Sequence, residues 1–253
     1  MIRLTLLLAL LAAPAAAERV VAALSQSRVQ IDTAFTGSEI LVYGAVVRDA
    51  PPPRGDGELG IVVTVAGPER PVTVRRKARR FGIWVNVDSV EIEGAPSFYA
   101  VAASAPLASV LDETEDERFR ISPGRALRGV MAAEGIDPDE FGAALIRIRE
   151  RTGAFQTADS RVALADGTLF STEIRLPANL VEGTYAVRIF LTRDGEVRTR
   201  YDTAVLVRKV GLERFLFRLA HDRPLVYGLM SIAIAIGAGW GASAAFRLIR
   251  AGG

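Results

Sequence analysis

From Pro224 to Phe246 the chain reads PLVYGLMSIAIAIGAGWGASAAF, with no charged residue. At about 1.5 Å of rise per helical residue, such a run is long enough to cross the roughly 30 Å hydrocarbon core of a bilayer. Everything before it is then held at a membrane surface, and residues 247–253 are left as a cytoplasmic stub. Inside the span, Ala233, Gly237, Gly241 and Ala245 recur four apart, with Ala235, Gly239 and Ser243 as a second row. Small residues at this spacing let helix backbones approach closely in lipid. They predict packing against an integral membrane protein or a second copy of the chain.

The N-terminus carries a second membrane signal. Arg3 precedes the short apolar run Leu4 to Leu11, and Ala13-Pro14-Ala15-Ala16-Ala17 supplies small residues for cleavage before Glu18. Residues 1–17 read as a signal peptide, the other reading being an uncleaved anchor. Export places the following domain in the periplasm and the span in the inner membrane. Charge counting disagrees, because Arg208, Lys209, Arg214, Arg218 and Arg223 precede the span while Arg247 and Arg250 follow it. The positive-inside rule alone would turn the domain inward; the export signal outranks it.

A formal charge of +2 over 253 residues gives no basic excess for nucleic acid. With no cysteine and one histidine, the chain cannot build disulfides, thiol redox centres or imidazole and thiolate metal sites. His221 lacks a nucleophile-elbow serine, and Asp112 to Glu117 lacks EF-hand spacing and its Gly hinge. No phosphate loop or dinucleotide fingerprint is present. The expectation is a non-enzymatic protein with no cofactor.

From Val20 onward, short period-two runs alternate with Gly, Pro and Asp, the pattern of antiparallel strands. Strands are expected over 28–33, 39–47, 59–65, 72–76, 81–92, 97–103, 168–176, 183–192 and 196–207, the last two joined by Asp194-Gly195. Asp49 to Gly57 is a proline loop and Asp112 to Glu117 a solvated one. Two helices are expected, near 123–134 after Ser122 and over 138–151, the second with Asp137 as N-cap and Pro138 in its first turn. Residues 209–223 read as a juxtamembrane amphipathic segment, with Leu212, Phe215, Leu216 and Leu219 on one face.

Leu176-Pro177 leading through Gly183 to Tyr185 matches the tyrosine corner of immunoglobulin-like sandwiches, in which the hydroxyl bonds back to the corner. The three late strands are too few for a sandwich of their own. The chain is therefore expected to be mainly β: one immunoglobulin-like β-sandwich over 18–208, built from early and late strands, with a strand and helical-hairpin insertion at about 81–157. Two lobes split near Gly153 are the alternative. Two further groups stand out. Arg75, Arg76, Lys77, Arg79 and Arg80 form a basic contact patch or a solvated strand end, and Trp84, Phe98 and Tyr99 line a ligand cleft or fill the core.

Phe81 to Asn86, Pro96 to Tyr99, and Leu176 to Leu180 running into Glu182 to Tyr185 together resemble the predicted transmembrane proteins of alphaproteobacteria, which carry a signal peptide, an exported domain and one C-terminal span. The resemblance implies a transporter-accessory role, members being encoded near sulfite-exporter-like permeases, and carries no catalytic residues. The expected function is binding or scaffolding of a membrane partner. The alternative is a periplasmic module that senses or binds a small ligand.

Overall fold

The computed structural model describes residues 18–32, 35–48, 57–132, 134–158, 161–210 and 212–251. The expected signal peptide and all but Gly57 of the proline loop lie outside the described residues. The chain divides into two compact units, 18–29 with 36–207, and 30–32, 35 and 208–251.

The first unit is mainly β, with strands β1 (Glu18–Leu24), β2 (Arg28–Ile31, continuing into the second unit), β3 (Ser38–Arg48), β4 (Leu59–Ala66), β5 (Glu69–Arg80), β6 (Ile83–Pro96), β7 (Tyr99–Ala103), β8 (Arg128–Met131), β9 (Phe155–Ala158), β10 (Ala163–Ala165), β11 (Leu169–Leu176), β12 (Gly183–Arg193) and β13 (Glu196–Lys209, likewise continuing into the second unit). They form sheets of order β1-β3-β11-β10, β2-β13-β12-β4-β7-β9 and β5-β6-β8. Early and late strands share both large sheets, β3 with β11 and β4 with β12, so the two-lobe alternative is excluded.

Alternation explains the first layer. Ile40, Val42 and Val46 of β3 and Phe170, Ile174 and Leu176 of β11 are buried, and one row of the second sheet (Ile61, Val63, Val65, Val187, Ile189) is buried as well. The opposite row of that sheet is also covered. Val62, Tyr99, Val101 and Phe190 cluster with Val110, Leu111, Ile121 and Phe155. Strands covered on both faces read as continuous apolar runs, as β4 and β7 do.

Three helices complete this unit: α1 (Leu107–Val110), α2 (Glu113–Phe119) and α3 (Pro138–Arg151). The Asp137 carboxylate caps α3 by accepting from the Asp139 N–H at 3.0 Å, and Phe141 and Leu145 pack on Val74, Val90 and Ile92 of the third sheet.

Three expectations are corrected. The helix expected near 123–134 is absent from the described part of that range, 123–132, which is a turn followed by β8, pairing Ile92 with Val130 and Gly94 with Arg128. Gly129 sits at φ +59, outside helical space, and glycine inside a helix costs about 1 kcal/mol relative to alanine. The acidic run is not a loop, because Glu113, Glu115 and Asp116 fill the first turn of α2, where carboxylates favour the helix dipole. The boundaries of the insertion also move. β5 leaves the sandwich strands to pair with β6, while β7, expected inside the insertion, lies between β4 and β9. Fully apolar Tyr99–Ala103 suits a doubly covered strand, and charge-rich β5 does not.

Tyr185 is fully buried, and its hydroxyl donates to the Val181 carbonyl at 2.9 Å, four residues back across the corner. Burial pushes the hydroxyl above the ordinary phenol range. Tyr185→Phe should cost about 1 kcal/mol, the usual worth of one such bond, read from urea unfolding.

In the second unit, α4 (Leu212–Asp222) gives way at Arg223 to α5 (Pro224–Ala251). The expected stub thus begins as helix. The amphipathic reading of 209–223 rests mostly on side chains outside the described set.

Candidate functional site

A sheet with one solvated face normally alternates apolar inward and polar outward. The β1-β3-β11-β10 sheet departs from this. Its outward rows place Val21 beside Ala45, Leu169 and Ala165, and Ala23 beside Tyr43, Ser171 and Ala163. Val21, Tyr43 and Leu169 are exposed, and they border a groove of about 520 Å³ floored by alanines. The residue-level signal was present, since 20–24 and 40–47 are apolar in both phases of the alternation. Which phase would face water was not.

Trp84, Phe98 and Tyr99 do not come together. Phe98 and Tyr99 are 1% exposed; Phe98 packs on Tyr185 with ring centroids 6.1 Å apart and Tyr99 on Phe155 at 6.0 Å. Trp84 belongs to the third sheet and is 69% exposed.

A smaller cleft of about 280 Å³ is lined by Tyr99, Arg118, Arg120, Arg128, Arg188 and Arg200. Its inner arginine is committed structurally. Arg188 donates to the Phe119 carbonyl at 2.7 Å, the Arg120 carbonyl at 3.0 Å, Thr64 Oγ1 at 3.1 Å and the Tyr99 hydroxyl at 3.2 Å. Tyr99 in turn donates to the Ile121 carbonyl at 2.7 Å, and burial pushes its hydroxyl up to about 12 against the opposing pull of Arg188. These groups staple the 119–121 segment onto the sheet.

Of the basic group, Arg76 is engaged, with Asp88 at 2.8 Å and Glu140 at 3.1 Å. Arg75, Lys77, Arg79 and Arg80 are exposed on the same hairpin and make no ion pair among the described residues. His221 stacks on Phe217 at 4.1 Å, and its Nδ1 lies 3.0 Å from the Phe217 carbonyl, one turn back along α4.

Helix α5 contains one candidate span, Pro224–Ser243, with mean hydropathy 1.7 and no buried residue. A side chain added at Gly237, Gly239 or Gly241 would meet nothing within 4 Å. The row including Ala233 therefore faces open space, and Ala245 lies beyond the described side chains.

A β-rich domain followed by an apolar helix long enough to cross a bilayer defines a membrane protein with one candidate C-terminal span among the described residues. The family model described as "Putative transmembrane protein (Alph_Pro_TM)" matches residues 19–248, and the chain belongs to that family. No curated protein and no solved structure matches it.

Proposed function

We propose that the protein is a non-enzymatic, inner-membrane-anchored periplasmic scaffold whose β domain binds an integral membrane protein. The observation that carries this reading is the exposed apolar outer face around Val21, Tyr43 and Leu169. Contiguous apolar surface on a soluble domain marks an interaction site. Ligand sensing, the alternative, needs an apolar pocket with convergent polar groups. Phe98 and Tyr99 are instead filled core, and Trp84 is far from them in the fold. The span complements the domain, because its small-residue row is open to another helix. A transporter is the partner that the family resemblance suggests.

The test places a photo-crosslinking residue at Tyr43 or Leu169 in native membranes. One membrane protein should be captured at both positions and lost with Leu169→Asp, while the thermal midpoint stays within the roughly 0.5 kcal/mol equivalent of a surface change. Gly237→Leu with Gly241→Leu should weaken the same complex without touching the β domain. Capture of a second copy alone would replace the heterologous partner by self-association. No capture at either position would overturn the reading. A reporter inserted between residues 49 and 57 should be active only outside the cytoplasm.

A further inference from the structure

The distal half of the β5–β6 hairpin has no core of its own. Inward of Val74 and Val90 the hairpin is buttressed by Phe141 and Leu145 of α3. Outward of them it projects as two strands closed by Phe81-Gly82. From the buried Val74 to the turn the stalk is about 20 Å long at roughly 3.3 Å per residue. Arg76, bonded to Asp88 across the hairpin and to Glu140 of α3, braces its base.

The apex is built against stability. Phe81 has φ +48 and Gly82 φ +84, the left-handed pair that two-residue hairpin turns need, and the first position of such turns favours Asn or Asp. A bulky aromatic there is strained. It is also fully exposed at 105%, with Ile83 at 64% beside it. Folding gains nothing from these side chains, and strain held at an exposed, apolar position points to a role outside the fold.

Behind the apex lies a collar of cations. The register sets Arg80 opposite Ile83, Arg79 opposite Trp84 and Lys77 opposite Asn86, with Arg75 further back. We propose that the Phe81–Trp84 apex inserts into the surface of an anionic lipid bilayer, with Arg75, Lys77, Arg79 and Arg80 on the lipid phosphates. Apolar and aromatic groups then occupy the headgroup and acyl boundary, where tryptophan is favoured. The long basic side chains extend to the phosphate level. Among the described residues both outer edges of the distal hairpin keep unpaired backbone groups, which holds the tip at the hydrated headgroup and acyl boundary and out of the hydrocarbon core.

A convex two-strand tip suits lipid better than protein. A stable protein interface buries about 800 Å² on each partner, and this apex offers no concave surface to reach that area. The proposal uses residues separate from the outer-face groove and does not depend on which partner fills it.

The test uses the full chain with Trp240→Phe, which leaves Trp84 as the single tryptophan. The protein is reconstituted into vesicles of phosphatidylcholine alone or mixed with phosphatidylglycerol, with and without brominated acyl chains. Trp84 emission should shift to shorter wavelength and be quenched by bromine in the anionic vesicles, less so in the neutral ones, and the quenching should fall as salt is raised. Reversing Arg75, Lys77, Arg79 and Arg80 to Glu should abolish it. Phe81→Asn, which suits the turn better, should reduce quenching while leaving the thermal midpoint equal or higher, separating insertion from folding. Trp84 that stays water-exposed and unquenched in every vesicle would overturn the proposal. So would protection in native membranes but not in protein-free lipid, which would assign the apex to a protein.

Discussion

Glu18→Gln should lower folding stability at neutral pH by about 3 kcal/mol, near the low end of the roughly 3–5 kcal/mol seen when one member of a buried pair is removed. The carboxylate begins β1 and is gripped from two strands. Arg193 donates from Nη2 at 2.8 Å and Nε at 3.0 Å, and Arg48 from Nε at 2.7 Å. Side-chain exposure is only 12% for Glu18 and 5% for Arg193. Both arginines are also fastened to backbone, Arg193 to the Gly57 carbonyl at 3.0 Å and Arg48 to that of Gly167 at 2.6 Å. The clamp therefore ties β1, β3, β12 and the segment before β4 together. Its hydrogen bonds to Arg193 hold the Glu18 carboxyl down at about 2, against 4.5 ordinarily, with burial opposing.

The pH dependence follows from that sign. A carboxyl whose folded value lies below its unfolded value binds protons more readily in the unfolded chain. Its stabilisation is complete above about 4.5 and is lost as pH falls toward about 2. At 1.36 kcal/mol per unit, the span between those values is again about 3 kcal/mol. Urea unfolding between pH 6 and pH 2.5 should show this acid limb in the native protein and a flatter one in Glu18→Gln. Equal limbs would mean the clamp contributes nothing. Arg193→Met added to Glu18→Gln should cost less than the two single changes together, as expected for groups in one network.

Gly44→Val should be at least as damaging. Gly44 pairs with Ala22 on one side and Phe170 on the other. A Cβ placed there meets the Val21 carbonyl oxygen, the Phe170 ring at 2.7 Å and the Ala22 Cα at 2.9 Å. Two of those obstacles are backbone and cannot swing away, so β1 must separate from β3 or Phe170 must leave the core. The cost should exceed the roughly 1–3 kcal/mol of ordinary overpacking. Hydrogen exchange over 19–24 and 42–47 should accelerate selectively. Gly237→Ala, which meets no atom within 4 Å, should leave the β domain's stability unchanged and serves as the control.

Much of the local structure was legible in short windows. Helix α3 announces itself through Asp137, Pro138 and the spacing of Phe141 and Leu145, and the β12–β13 turn through Asp194-Gly195, both found at positive φ. After Ser122 the spacing of Leu127, Val130 and Met131 favours a helix, while the run Arg128 to Met131 is also long enough for a short strand. Pairing with β6 decided between them, and that partner is more than thirty residues away. The acidic run was misread for the opposite reason. Its charge suggested solvent, whereas its position in the first turn of α2 makes the charge favourable.

The candidate surfaces divide along the same line. The uncharged run from Pro224, the alternation that makes the chain mainly β, and the cluster Arg75 to Arg80 are properties of neighbouring residues and were determined by the sequence itself. Tertiary structure alone decided that Phe98 and Tyr99 are core while Trp84 is bare, and that, among the described residues, Arg76 is paired while the cations around it are not and the outer row of β1, β3 and β11 has no covering layer. Periodicity tells which residues share a face within about ten positions. Whether another layer covers that face is set by strands and helices distant in the chain, and on that coverage rests whether an apolar residue stabilises the fold or remains exposed for a membrane or a partner.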